Sequence, residues 1–199
     1  MKCIKSNSNR METSNLFLTT IGILLLGIHL ARAARKWDYE PISLTATTSD
    51  EDKLKINLKI DRLGRADWGM SGTLEWKYDM NDESMVEAFA YRSNSGDESD
   101  YKLLPWAIPK QKFYDYLDTY YKDVIIKNLG HCSNLPKFEP KFQPPWPQNT
   151  YKFDKCKIDG DGLPDVAPPG FYKIVFRQFG PGQPTFGFTA IFKLTAKVF

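Results

Sequence analysis

From Lys53 to Ile60 the chain alternates without a fault, Leu54, Ile56, Leu58 and Ile60 on one side and Lys53, Lys55, Asn57 and Lys59 on the other. Successive side chains of an extended strand point to opposite faces, so a period of two with one polar side specifies a half-buried strand and excludes a helix. Thr73–Met80 repeats the pattern, with Leu74, Trp76, Tyr78 and Met80 inward. Phe186–Phe199 carries it furthest, placing Phe186, Phe188, Ala190, Phe192, Leu194, Ala196 and Val198 on one face. Ile42–Thr47, Met85–Tyr91 and Phe171–Phe179 read as further strands, the last joined to the final one by Gly180-Pro-Gly-Gln-Pro184. Strands with one polar face build antiparallel sheets packed face to face, or a barrel. The fold class is mainly β.

One segment departs from this period. Over Pro109–Leu129 the apolar residues fall at helical spacing: Phe113, Tyr116, Leu117, Tyr120 and Val124, with Tyr121 and Ile125 on the flank. Pro109 suits a first helical turn and Gly130 the position just past the end, which predicts one amphipathic helix covering a sheet edge or end. Next comes Leu135-Pro-Lys-Phe-Glu-Pro-Lys-Phe-Gln-Pro-Pro-Trp-Pro147. Proline fixes φ and removes a ladder donor, so this is an extended strap outside any sheet. Its Phe138, Phe142 and Trp146 predict packing against the domain.

The N-terminus has its own chemistry. A polar, basic stretch leads into an apolar run from Leu16 to Leu30, followed by Ala31-Arg-Ala33. That run is shorter than the ~20 residues that span a bilayer, and the two alanines fit a signal-peptidase site, predicting a signal peptide over 1–33 and one domain over 34–199. An uncleaved anchor is the competing reading, disfavoured by length. Beyond Ala33 only Cys132 and Cys156 remain, which in an oxidising lumen predicts a Cys132–Cys156 disulfide. Closing that loop contributes about 3.5 kcal/mol in the chain-entropy account. No Asn-x-Ser/Thr acceptor occurs.

Charge and motifs narrow the function. The chain's net charge is +3, but residues 1–33 carry Lys2, Lys5, Arg10 and Arg32 against Glu12, so the rest is balanced and lacks a nucleic-acid footprint. Beyond residue 33 His131 is the single histidine, so a Ser-His or Cys-His nucleophile pair would have to recruit this one residue beside a helix end and a disulfide. There it reads as a helix-terminus cation or loop residue, and there is no His/Cys zinc cluster. Asp159-Gly-Asp-Gly-Leu-Pro-Asp165 begins like a calcium loop and then breaks the pattern, with Pro164 at the turn-glycine position and no closing glutamate. Asp97, Glu98 and Asp100 lie in a Ser/Gly-rich loop and read as a solvated tip. No cofactor and no catalytic residues are expected.

Aromatic residues make up 14% of the chain, and several, Trp68, Trp106, Phe138, Phe142 and Trp146, lie outside the clean strand patterns. They fit either an aromatic-rich core or the mouth of an apolar pocket.

Several stretches together carry a resemblance: Gly69-Met-Ser-Gly-Thr, Lys77-Tyr-Asp-Met80, Arg92–Glu98, Asp100-Tyr-Lys-Leu-Leu-Pro-Trp106, Ile108-Pro-Lys-Gln and Phe113–Asp118. Pro144-Pro-Trp-Pro147, Gly160–Pro164 and Pro169-Gly-Phe-Tyr-Lys173 extend it. The set resembles the CheB family of insect chemosensory proteins, which implies a secreted, extracellular protein of the sensillum lymph, linked to pheromone perception and male courtship. That family is in turn similar to the GM2-activator protein, a lipid-binding β-cup, although this chain has fewer cysteines than the activator. The expected fold is therefore an antiparallel β-sandwich or β-cup with an apolar cavity and one helix.

On that reading Leu74, Trp76, Phe186, Phe188 and Phe192 line the wall. Leu103, Leu104, Trp106 and Ile108, with Pro105 and Pro109 at the joints, form a rim that opens and closes. The expected partners are a hydrophobic small molecule (a lipid or cuticular hydrocarbon) and a chemosensory receptor or channel. Nucleic acid is not expected, and membrane contact would be transient. The competing class is an extracellular protein that contacts such a receptor directly with no small ligand; a secreted hydrolase ranks below both.

Overall fold

The computed structural model describes residues 35–65 and 67–197. The signal peptide expected over 1–33 lies outside the described residues. Eight strands form two antiparallel sheets without closing a barrel. The strands are β1 (Trp37–Thr48), β2 (Leu54–Arg62), β3 (Trp68–Trp76), β4 (Met85–Ser93), β5 (Lys102–Lys112), β6 (Asn149–Cys156), β7 (Gly170–Phe179) and β8 (Phe186–Ala196). The larger sheet has the order β1-β8-β7-β4-β5 and the smaller β2-β3-β6. A 17-residue helix, α1, spans residues 113–129.

The period of two translates directly into burial. Leu54 pairs with Trp76 and Ile56 with Leu74 across β2–β3, and Leu74 pairs with Tyr151 across β3–β6. On the larger sheet Ala88, Phe176 and Phe188 lie side by side, stacking Phe176 on Phe188 at 5.2 Å. β3 ends at Trp76, short of the expected Met80, because the chain folds back there: the Trp76 indole N–H donates to the Tyr78 carbonyl at 3.0 Å. Tyr78 and Met80 are still buried.

Two strands escape the expected pattern. Pro109 lies in β5 and not in the helix. β5 is a sheet edge, where proline's missing donor points away from the ladder and costs no hydrogen bond. The helix begins at Phe113, whose N–H donates to the Ser84 carbonyl at 2.8 Å. β6 offers only Tyr151 and Phe153 as an alternating pair before an irregularity shifts the register toward Cys156.

Helix α1 is α-helical over Phe113–Tyr116, a π-helix over Leu117–Ile126, and α-helical again over Lys127–Leu129. The i to i+5 bonding of a π-helix widens each turn and rotates the buried stripe. Tyr121 is therefore buried in place of Tyr120 and Val124, which are only half-buried. The Cys132–Cys156 disulfide forms as expected, with Cα atoms 5.3 Å apart, and it ties the end of α1 to the end of β6.

The strap packs inward as expected. Trp146 is 4% exposed, and its ring lies within 6.3 Å of six others: Trp76 of β3, Phe113 and Tyr121 of α1, Phe138 and Phe142 of the strap, and Tyr151 of β6. Replacing Trp146 by alanine should cost about 3–5 kcal/mol, read as a lower denaturant midpoint. A loss under ~1 kcal/mol would show that the rings are adjacent without bracing one another.

Candidate functional site

The two sheets are joined along one side by the β1–β2 turn and along the other by α1 and the strap, which lead from edge strand β5 to edge strand β6. Between them the apolar interior divides into two clusters. The main one contains Leu54, Trp76, Val86, Phe113, Tyr151 and Phe176. The second is smaller: Trp37, Tyr172 and Leu194, with Tyr39, Leu104, Ala167 and Phe192 packed on them.

Between these clusters the inner faces are not sealed. Ile174 lies between buried Tyr172 and buried Phe176 on the same face of central strand β7, yet it is only half-buried. Its register partner Ala190 and, beyond that, Leu44 are half-buried too. On the facing sheet, exposure begins after Leu54: Ile56, Leu58, Ile60 and Met70 all keep accessible surface. Central inward positions of a fully packed sandwich would be sealed at native density. Here Ile174, Ala190 and Met70 on interior strands and Leu44, Ile56 and Leu58 on edge strands keep partial access to water. Ile56, Leu58 and Met70 pack against the main cluster, and Ala90, the other register partner of Ile174, is buried.

The 157–169 segment closes over the second cluster. Trp37 Nε1 donates to the Pro164 carbonyl at 2.8 Å, the Tyr39 hydroxyl accepts from the Ile158 N–H at 3.0 Å, and the Tyr172 hydroxyl donates to the Pro168 carbonyl at 2.7 Å. Burial pushes the Tyr39 and Tyr172 phenols above their ordinary range, so both stay neutral. Asn128, 2% exposed, ties the segment to α1. Its amide nitrogen donates to the Val124 and Asp161 carbonyls, each at 2.8 Å, and its oxygen accepts from the Gly160 N–H at 2.7 Å. Gly162 has φ +79°, and a Cβ there would stand 2.3 Å from the Asp123 carbonyl, so only glycine lets the segment approach the helix. The Asp159–Asp165 stretch is thus a structural clasp whose main-chain groups are taken up by Asn128, Trp37 and Arg35. Among the described residues no group of three His, Cys, Asp or Glu side chains is placed to hold a metal.

The expected wall and rim residues separate into three groups. Leu74, Trp76, Ile108, Phe186 and Phe188 join the main cluster, Trp76 as one of its buried members at 3% exposure. Leu104 and Phe192 join the second cluster, where Tyr172 stacks between Phe192 (5.8 Å, 9°) and Trp106 (6.3 Å, 6°), and Trp106 keeps 39% exposure. Leu103 belongs to neither. It lies opposite Tyr91 on the outward face and is 61% exposed. The expected hinged rim is edge strand β5, bonded along β4 with two register shifts. Leu44, Ile56, Leu58, Met70 and Ile174 are half-buried inward residues, Ile56, Leu58 and Met70 packed on the main cluster, and their period-two spacing was the signal for their direction.

Two recesses lie elsewhere. One of about 330 Å³ opens at the end of the larger sheet among Thr47, Ser49, Arg177, Phe179, Thr185 and Phe186, so the expected wall residue Phe186 lines it. Another of about 80 Å³ lies between α1 and the strap, lined by Leu117, Tyr121, Ile126, Phe138 and Pro140, well below the volume of a ligand pocket.

The expected solvated acidic tip is in part a built turn. Asp100 accepts from the Ser93 hydroxyl (2.9 Å), the Asn94 N–H (2.9 Å) and both the N–H and hydroxyl of Ser95 (3.2 Å each). These bonds, the Ser93 hydroxyl first, hold its carboxyl down at about 2.

The architecture is that of a two-sheet antiparallel β fold without barrel closure, with one helix. A DUF1091 domain, described as a protein of unknown function, is found over residues 85–174, from β4 through the strap into β7. No curated protein matches the chain significantly.

Because the Asp100 carboxyl is held below its ordinary value of 3.8, its contribution to stability is present above that pH and is lost as the pH falls toward 2. Thermal unfolding across that window should show the loss in the wild type. Asp100→Asn should be less stable than wild type at neutral pH and flatter in acid. Identical acid profiles would mean that these bonds do not form in solution.

Proposed function

We propose that the protein is a secreted carrier that binds or presents an apolar semiochemical, a lipid or cuticular hydrocarbon, and thereby contributes to pheromone perception and male courtship behaviour. It works by capture, solubilisation and hand-over to a chemosensory receptor or channel, with only transient membrane contact and no covalent chemistry. One observation carries this reading: inward residues on both sheets stay partly accessible to water, Ile174, Ala190 and Met70 on interior strands and Leu44, Ile56 and Leu58 on the edge strands β1 and β2. Apolar area left wet inside a fold costs roughly 25 cal/mol per Å², and an apolar guest recovers that energy, less the cost of association.

Three further observations support it. The DUF1091 domain is consistent with a lipid-binding-like fold. The motifs from Gly69 to Lys173 resemble the CheB family. The Cys132–Cys156 disulfide suits an oxidising, secretory environment, and no helix among the described residues is long and apolar enough to cross a membrane.

Filling the gap tests the reading. Ala190→Phe places a ring between Leu44 and Ile174, in space a guest would occupy. Binding of a fluorescent fatty-chain probe should weaken about ten-fold or more, which is ~1.4 kcal/mol, with thermal stability unchanged or raised. Equal probe affinity in a folded variant, or no uptake by the wild type, would contradict the carrier.

A further inference from the structure

The two sheets differ on their outward faces. The smaller presents Lys55, Asn57, Lys59, Thr73, Glu75 and Lys152, the polar cover expected of a solvated antiparallel sheet. The larger does not. Its outward register rows run Ala107–Phe89–Val175–Thr189 and Leu103–Tyr91–Lys173–Ile191 across four neighbouring strands. Phe89, Tyr91, Leu103, Val175 and Ile191 belong to neither interior cluster, so nothing in the chain's own core accounts for them.

The charges bordering these rows occur with both signs. Arg177 lies 3.8 Å from Glu87, Lys173 pairs with Glu98 beneath the rings of Tyr91 and Tyr101, and Lys193 lies opposite Glu40 on β1. An anionic bilayer or a polyanion would meet carboxylates as well as cations here. A second copy related by a two-fold axis can present each acid to a base, because a surface carrying both signs can be self-complementary.

The size also fits. Five strands at ~4.8 Å spacing by about eight residues at ~3.4 Å give a face of roughly 650 Å², within the range of one partner's share of a standard interface. We propose that the protein forms a symmetric dimer by packing the outward faces of two five-stranded sheets against each other, with Phe89, Val175 and Ile191 at the centre. The carrier interior lies on the opposite side of the same sheet, so dimerisation and guest binding are independent.

Sedimentation velocity over a concentration series, on protein secreted by cells expressing the full chain, tests this. The wild type should sediment as a dimer that dissociates on dilution. Val175→Lys should weaken it about 100-fold or more by burying unpaired charges, with an unchanged circular dichroism spectrum. Leu103→Glu, at an exposed edge position that tolerates substitution, gives a second reading should Val175→Lys fail to fold. Thr73→Lys, on the polar face of the other sheet, should leave the dimer intact. A wild type that stays monomeric at every concentration overturns the proposal, as does a dimer that survives a folded Val175→Lys or Leu103→Glu. Vesicle binding without self-association would also overturn it.

Discussion

The strap tryptophan fills one end of the sandwich with rings, and the remaining architecture follows from that filling. Trp146 meets rings from β3, α1, β6 and its own strap. Its indole N–H finds no oxygen acceptor there, a cost that a buried donor normally avoids. Proline makes this filling possible: a strap that cannot join a ladder is free to present side chains inward. Its ends are fixed by the disulfide loop and by contacts such as the Tyr121 hydroxyl to the Pro136 carbonyl at 2.8 Å.

Beyond the rings the inward residues Ile174, Ala190, Leu58 and Met70 are smaller, and each is only half-buried. A second cluster then forms where the 157–169 segment folds over Trp37 and Tyr172. Asn128 binds that segment to α1, so the cover over the second cluster depends on the helix that packs against Trp146. The π-winding contributes by turning Tyr121 toward the rings and Asn128 toward the clasp. Core and cover are thus one mechanical unit.

Much of this was legible in the residues. Perfect alternation over Lys53–Ile60 and Phe186–Phe199 located β2 and β8, and two cysteines sufficed for the disulfide. Other features depend on distance and not on period. The π-winding moved the helix stripe by one residue, which spacing at 3.6 residues per turn does not anticipate. β5 carries two prolines, normally a sign against a strand, and they are tolerated only because β5 is an edge. Leu103 and Leu104 are equally apolar and adjacent, yet one faces solvent and the other the second cluster. Only the register with Tyr91 separates them. The half-buried inward positions were least legible, since Ile174 looks like any core isoleucine until its burial is known.

The central claim is that an apolar guest sits between the sheets, against the half-buried inward residues of both. Photo-crosslinking with an aliphatic diazirine, followed by peptide mapping of the secreted protein, tests this most directly. The account predicts labels on Leu44, Ile56, Leu58, Met70 and Ile174, competed away by unlabelled hydrocarbon. Labelling confined to the outward face at Phe89 and Val175, or none above the unfolded control, would contradict it.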